Sequence, residues 1–374
     1  MANEISKGLA GVVADTTSIS QVQGEEGRLI YRGVPIEKIA EKLNYEQAAY
    51  FLLFGKMPSS AEADKIKKDL AQARHLPESV KNIIKLAPRD AHPMTILQTA
   101  MAAMAWTEPS PALGNKERNL ATSIHAIGAV GTIVAWVSRH RRGLSMIEPD
   151  DSLGQSDAFL KMLFGELPNA ETRRAFEVAL LLHMDHDFNA STFTVRVVSS
   201  TETRIFSAIS AGVGSLEGLI HGGANEQVMK MVDEIKSTDR VEPYVMDLLK
   251  NKKKIYGFGH RVYRTTDPRS VVLHEMFEKL AKNSKNTKDY DILSKVHDFT
   301  VAELGKTQKD YIKPNVDFWS GGLYKLMGIE TIDYTPVFAV ARVTGWCAHL
   351  LEQWSDNRIY RPAAQYVGPA SAEI

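Results

Sequence analysis

The chain has 374 residues, with 45 Lys and Arg against 45 Asp and Glu, a formal net charge of zero and one cysteine. That length supports a large buried core and two domains, and the balanced charge without a long basic run excludes a surface built to track a nucleic-acid backbone. The lone Cys347 excludes an internal disulfide and points to a reducing compartment. The opening "MANEISKGLAGVVADTTSIS" has an early acid and no basic stretch leading into an apolar one, so no signal or transit peptide is expected and the chain reads as cytoplasmic.

From Thr17 to Gly33, two short β-rich runs flank a glycine-bounded acidic turn, which predicts a hairpin. Almost everything after it has helical period. "IEKIAEKLNYEQAAYFLLFG" predicts a helix ending at Gly55, with Pro58 and Ser59 opening the next. The most apolar run, Ala126 to Val137, contains Gly128 and Gly131 and falls short of the roughly 20 residues that span a bilayer. It predicts a buried helix, in the core or at a subunit contact. "AFLKMLFGELPNAE" repeats the earlier punctuation at Gly165 and Pro168, and Thr172 to Met184 is apolar on nearly every face, as a central helix would be. The polar stretch 282–291 predicts a surface loop, and "RPAAQYVGPASAEI" an extended tail. The fold class is all-α, preceded by a short N-terminal β-hairpin.

Five stretches could carry chemistry. In "YGFGHRVYRTTDPR", residues 256–269, Asp267 is a natural N-cap, Pro268 suits the first helical position and Arg269 falls in the first turn. A cation there opposes the helix dipole by about 0.3 to 1 kcal/mol, unless a carboxylate or phosphate is held by both; an exposed arginine is the other reading. The Gly-x-Gly is weak evidence for a nucleotide, with no strand before it and no Walker lysine after it. In "EGLIHGGANEQVM", His221 and two glycines precede a helix expected to be capped by Asn225, beside backbone N–H groups suited to a developing oxyanion. The alternative is a histidine bonded into a turn.

Asp317 in "IKPNVDFWSGG" is either an N-cap or a general base tuned by Phe318, Trp319 and nearby charge. Arg342 shares a helix face with Phe338 and Trp346 and is expected to be buried, where a guanidinium needs an anion, from the protein or from a substrate. Arg361, in "NRIYRPAAQ", offers a further cation from the tail, or is an ordinary surface arginine. His183 and His186 in "LLHMDHDFNAST" are expected one helical turn apart beside Asp187. They read as half a metal site of the His-Asp phosphohydrolase kind, or His186 as a substrate hydrogen-bond donor or a core histidine.

Together "DHDFNASTFTVR", "GLIHGGANEQVM", "GFGHRVYRTTDPR", "KPNVDFWSG" and "FAVARVTGWCAHLLEQ" resemble, in order, the citrate synthase family in its short two-domain form from bacteria and archaea, a likeness running from about Thr16 to Gly368. The resemblance implies a large helical domain, residues 1–221 and 323–374, with a small helical domain, 222–322, inserted in it. It implies condensation of acetyl-CoA with oxaloacetate and water to citrate and CoA, with no metal and no cofactor beyond the coenzyme A thioester. By that resemblance Asp317, His221 and His260 are catalytic, His186, Arg269 and Arg342 hold oxaloacetate with Arg361 of a second copy in a homodimer, and Arg264 and Lys254 flank the CoA phosphates. The chain lacks the extended N-terminal region of the NADH-inhibited hexameric branch, so a dimer without that control is expected. Where many relatives carry a second arginine after the Arg-Pro at 361–362, this chain has Ala363. A 2-methylcitrate synthase using propionyl-CoA is therefore the alternative, since one methylene is worth only about 1–3 kcal/mol in an apolar pocket.

Overall fold

The computed structural model describes residues 5–109, 113–307, 309, 311–369 and 371. The predicted hairpin is present: β1 (Ser20–Gln23) pairs antiparallel with β2 (Arg28–Tyr31), Ser20 opposite Tyr31, and a short β3 (Val34–Pro35) extends the sheet beyond β2. Leu29 and Tyr31 face the core while Arg28 faces solvent, the alternation a half-buried strand requires.

The run before Gly55 forms two helices, α1 (Ile36–Lys42) and α2 (Tyr45–Phe54), rather than the single one expected. Asn44 breaks it: its side chain accepts from the Gln47 N–H, and the Gln47 side chain accepts from the Asn44 N–H, so a new helix start satisfies donors that a continuous helix would leave competing. Gly55 then ends α2 in the left-handed region, φ 71°. Ser59 caps α3 (Ser60–Ala73), and α4 (Glu78–Leu86), α5 (Pro93–Met104) and α6 (Lys116–Arg141) follow. α7 (Gln155–Phe164) ends at Gly165, and Asn169 caps α8 (Ala170–His183), the predicted central helix.

The second half holds α9 (Ala190–Ser199), α10 (Ile205–Leu216), α11 (Ala224–Ile235), α12 (Val241–Lys250), α13 (Pro268–Lys282), α14 (Lys288–Gly305), α15 (Val316–Leu326) and α16 (Tyr334–Ser355). The loop expected over 282–291 is shorter than read, because α14 already begins at Lys288. The boundary expected at 322 falls inside α15. Residues 356–369 form no helix or strand, as expected of a tail; positions 370 and 372–374 lie outside the described residues.

α6 is longer than its apolar run suggested, and by length and composition it could cross a bilayer. Here 78% of its apolar window is buried against the protein, chiefly by α3, α5, α7 and α16, so its place is in this chain's core. The close approach depends on Gly128, where a Cβ would lie 2.5 Å from the Ala73 Cβ and 2.9 Å from the Leu70 carbonyl oxygen. α16 crosses the same core, buried from Tyr334 to Leu350. The segments just beyond the ends of α8 and α10, the first turns of α13 and α15, and the Phe338–Arg342 stretch of α16 face one another.

Gly128→Val is expected to lower the unfolding free energy by the overpacking cost, about 1–3 kcal/mol, read as a lower urea midpoint. Gly114→Ala, which has open space around it, serves as the control that should not.

Candidate active site

A cavity of about 520 Å³ opens where these ends meet, and His186, His221, Lys254, His260, Arg269, Asp317 and Arg342 all line it. Its construction begins at Asp267. This buried carboxylate caps α13 by accepting from the Arg269 N–H at 3.0 Å, and grips the Arg269 guanidinium with both oxygens, Nε at 3.0 Å and Nη2 at 2.7 Å. It also accepts from the Val316 N–H at 3.2 Å, which ties the first turn of α15 to the start of α13. Burial disfavours both charges, yet each holds the other ionised: the Asp267 pKa is lowered and that of Arg269 raised.

Asp317 sits one residue further along α15. The helix cap is Asn315, whose Oδ1 accepts from the Asp317 N–H at 3.0 Å. That removes the capping role from Asp317 and leaves its side chain for the cavity. Burial pushes its carboxyl up to about 6, with the positive charge of Arg269 working the other way, and Oδ1 has no hydrogen-bond partner among the described residues. An unpaired, partly desolvated carboxylate of that kind is a base near neutral pH.

The Gly-x-Gly has a structural task. Gly257 and Gly259 have φ of 80° and 83°, and a Cβ on Gly257 would meet the Phe318 ring at 2.7 Å. Asn315 donates its N–H to the Gly257 carbonyl at 2.8 Å and its Nδ2–H to that of Gly259 at 2.8 Å, while the Gly259 N–H donates to Lys313 O at 2.9 Å. The loop bearing His260 is thus laced to the loop bearing Asp317.

Backbone groups also fix the histidines. His260 Nδ1 accepts from the N–H groups of Val262 and Tyr263, at 3.0 and 3.2 Å, so its proton is on Nε2. His221 Nε2 accepts from the Ser191 N–H at 3.2 Å, which leaves Nδ1 as the donor. Ser191 Oγ lies 2.8 Å from the same nitrogen and accepts from Trp346 Nε1 at 3.2 Å. Burial lowers both ring pKa values to about 4, helped by Arg269 at His260 and by Arg342 at His221, so both rings are neutral N–H donors at pH 7. His186 is pushed well below the usual range by burial and by the charges of Arg269 and Arg342.

Arg342 is buried as predicted. It donates Nε–H to His183 O at 2.8 Å and lies 4.6 Å from the Phe338 ring centre. Among the described residues it enters no ion pair. Burial lowers its pKa to about 10, still protonated at pH 7, and Asp185 supplies the compensating charge from behind. A guanidinium so placed, on the wall of a cavity, is set up to take an anion from within it.

Two expectations are corrected. Helix α8 ends at His183, so His183 and His186 share no helical face. His183 Nδ1 instead bonds to Ala179 O at 2.7 Å, and among the described residues no three His, Cys, Asp or Glu side chains group as a metal site would require. Asn225 does not cap α11; Gly223 occupies that position and the Asn225 side chain is buried. Arg264 and Arg361 are exposed and do not line the cavity of their own chain, and the Arg264 N–H donates to Gly24 O at 3.0 Å on the hairpin turn. Sequence reading assigned no site role to Asn189 or Asn315, although Asn before a helical run was a capping signal at both. Asn189 caps α9 and its Nδ2 donates to His186 O and Asp187 O, at 3.3 and 3.2 Å, folding the His186 loop inward.

The model of the family described as "Citrate synthase, C-terminal domain" matches residues 8–363. The chain belongs to the citrate synthase family. It is 39% identical to a citrate synthase of Deinococcus radiodurans over 366 residues, 98% of this chain and 96% of the relative. It is 37% identical to a 2-methylcitrate synthase of Mycobacterium tuberculosis over 98% of this chain and 91% of that protein. Among solved structures, the ternary complex of carboxymethyl coenzyme A and oxaloacetate with the citrate synthase of Thermoplasma acidophilum superposes with a TM-score of 0.94 at 35% identity, covering 99% of this chain and 98% of that one. The all-α fold of this citrate synthase family member agrees with the sequence-based expectation.

Asp267→Ala is expected to destabilise the protein by about 3–5 kcal/mol in chemical unfolding, because it leaves the Arg269 charge buried and unpaired. Replacing Asp267 and Arg269 together by apolar residues should cost less than the single change.

Proposed function

We propose that this protein is a citrate synthase that condenses acetyl-CoA with oxaloacetate and water. The observation that carries the reading is the convergence on one cavity of an unpaired carboxyl tuned to about 6, two neutral histidines of fixed tautomer, and two buried guanidinium groups. Asp317 removes a proton from the acetyl methyl, and the His221 Nδ1–H donates to the thioester oxygen as the enolate forms. A neutral donor suits this step, because it stabilises the developing oxyanion without releasing its proton early. The His260 Nε2–H polarises the oxaloacetate ketone and gives up its proton as the carbon–carbon bond closes. Water then cleaves the citryl thioester in the same cavity.

Arg269, Arg342 and His186 hold the oxaloacetate carboxylates in this reading. Arg361 reaches the site from a second copy in a homodimer, a role supported by its exposure on the tail and its place outside the lining of its own cavity. Lys254, on the cavity wall, and Arg264 flank the CoA phosphates. The segment 222–322 acts as a small domain that closes on the rest, with the thioester as substrate, no further cofactor, and a cytoplasmic setting. The 2-methylcitrate reading is favoured by Ala363 and by the Mycobacterium tuberculosis relative; it differs only in the acyl group.

CoA release followed with a thiol reagent tests both readings. Oxaloacetate-dependent release with higher kcat/KM for acetyl-CoA supports citrate synthesis, a higher value for propionyl-CoA supports the alternative, and release from neither overturns both. Asp317→Asn should lower kcat about 100- to 10,000-fold without lowering the unfolding midpoint. Because Asp317 must be ionised to act, kcat/KM should fall as pH drops through about 6, while the two histidines near 4 stay neutral across that range. A profile flat from pH 7 to 5 would contradict the base assignment.

A further inference from the structure

Tyr263 lies behind the cavity wall, 2% exposed, and reaches both His186 and His260. Its backbone N–H is one of the two donors to His260 Nδ1. Its ring centre is 4.7 Å from that of His260 and 5.6 Å from that of His186, and its phenol oxygen is 3.2 Å from His186 Nε2. Burial raises the phenol pKa, so the hydroxyl keeps its proton.

Among the described residues His186 Nε2 is the only hydrogen-bond partner of this hydroxyl. If His186 donated from Nε2, the phenol proton would be stranded in a buried site at the full desolvation penalty. The arrangement that strands nothing has Tyr263 donating to Nε2, which places the His186 proton on Nδ1. His260, held at Nδ1 by the same residue's backbone, carries its own proton on Nε2. A neutral imidazole has one donor and one lone pair, so exchanging them would set a lone pair against a substrate oxygen.

We propose that Tyr263 is a positioning residue that fixes the opposite tautomers of His186 and His260 together, presenting one N–H donor from each ring to oxaloacetate. The inference rests on the proposed condensation, with His186 holding a carboxylate and His260 the ketone. The hydroxyl acts through His186 and the backbone N–H through His260, while the ring touches both, so two substitutions separate the hydroxyl from the ring.

Tyr263→Phe removes the hydroxyl and keeps the ring and the N–H; Tyr263→Leu removes the ring as well. In Tyr263→Phe the KM for oxaloacetate should rise about 5- to 30-fold, the effect of one or two kcal/mol, with the KM for acetyl-CoA and kcat little changed. Nitrogen-15 NMR of histidine-labelled protein should show His186 as a single Nδ1–H tautomer in the unmodified chain and as a mixture in Tyr263→Phe. Wild-type oxaloacetate KM in Tyr263→Phe, with loss only in Tyr263→Leu, would reduce the residue to packing and overturn the proposal, as would a His186 protonated at Nε2 in the unmodified protein. The NMR result does not depend on turnover. Absence of oxaloacetate-dependent CoA release in the unmodified protein would therefore count against the proposed function, while the tautomers are read independently.

Discussion

The buried carboxylate of Asp267 is the constraint on which the rest of the site depends. One side chain starts α13, immobilises the Arg269 guanidinium through two hydrogen bonds and holds the first turn of α15 through the Val316 N–H. Without it Arg269 would be a buried cation opposing the dipole of its own helix, a position unfavourable on both counts. With it, the fully buried pair is neutral overall, and the α15 backbone that carries Asp317 is registered to the α13 backbone that carries Arg269.

Around that pair a single physical effect gives different groups different roles. Withdrawal from water raises the carboxyl of Asp317 to about 6 and lowers the rings of His221 and His260 to about 4. Near neutral pH the result is a charged acceptor facing uncharged donors. Burial alone would favour a protonated acid, and the charge of Arg269 limits that tendency. Separation of acid and base by environment, rather than by residue type, lets one cavity hold both a proton acceptor and hydrogen-bond donors. The tautomers come from the main chain, as Ser191, Val262 and Tyr263 present N–H groups to chosen ring nitrogens.

Much of this was legible in the sequence because the signals were local. Helical period, the Asp-Pro start of α13, the glycine at the end of α2 and the apolar face around Arg342 each depend on neighbours within a few residues, where propensity and capping act directly. The errors also have local causes. Asn225 looked like a cap because it stands before an apolar run, but the preceding glycines begin the helix themselves. His183 and His186 have helical spacing, but α8 ends at His183, and Asn189 holds His186 in the loop beyond it by donating to His186 O and Asp187 O.

The sequence by itself determined the all-α class, the order of the motifs and the residue types available for acid–base and carboxylate chemistry, since these follow from composition and short-range pattern. Only the tertiary structure decided that Asp267 neutralises Arg269, that Asn315 rather than Asp317 caps α15, which histidine nitrogen carries each proton, and that Tyr263 spans two site histidines. Each of those facts depends on burial or on contact between segments far apart in the chain. Such contacts set the local dielectric and the available partners, and no short-range pattern encodes them.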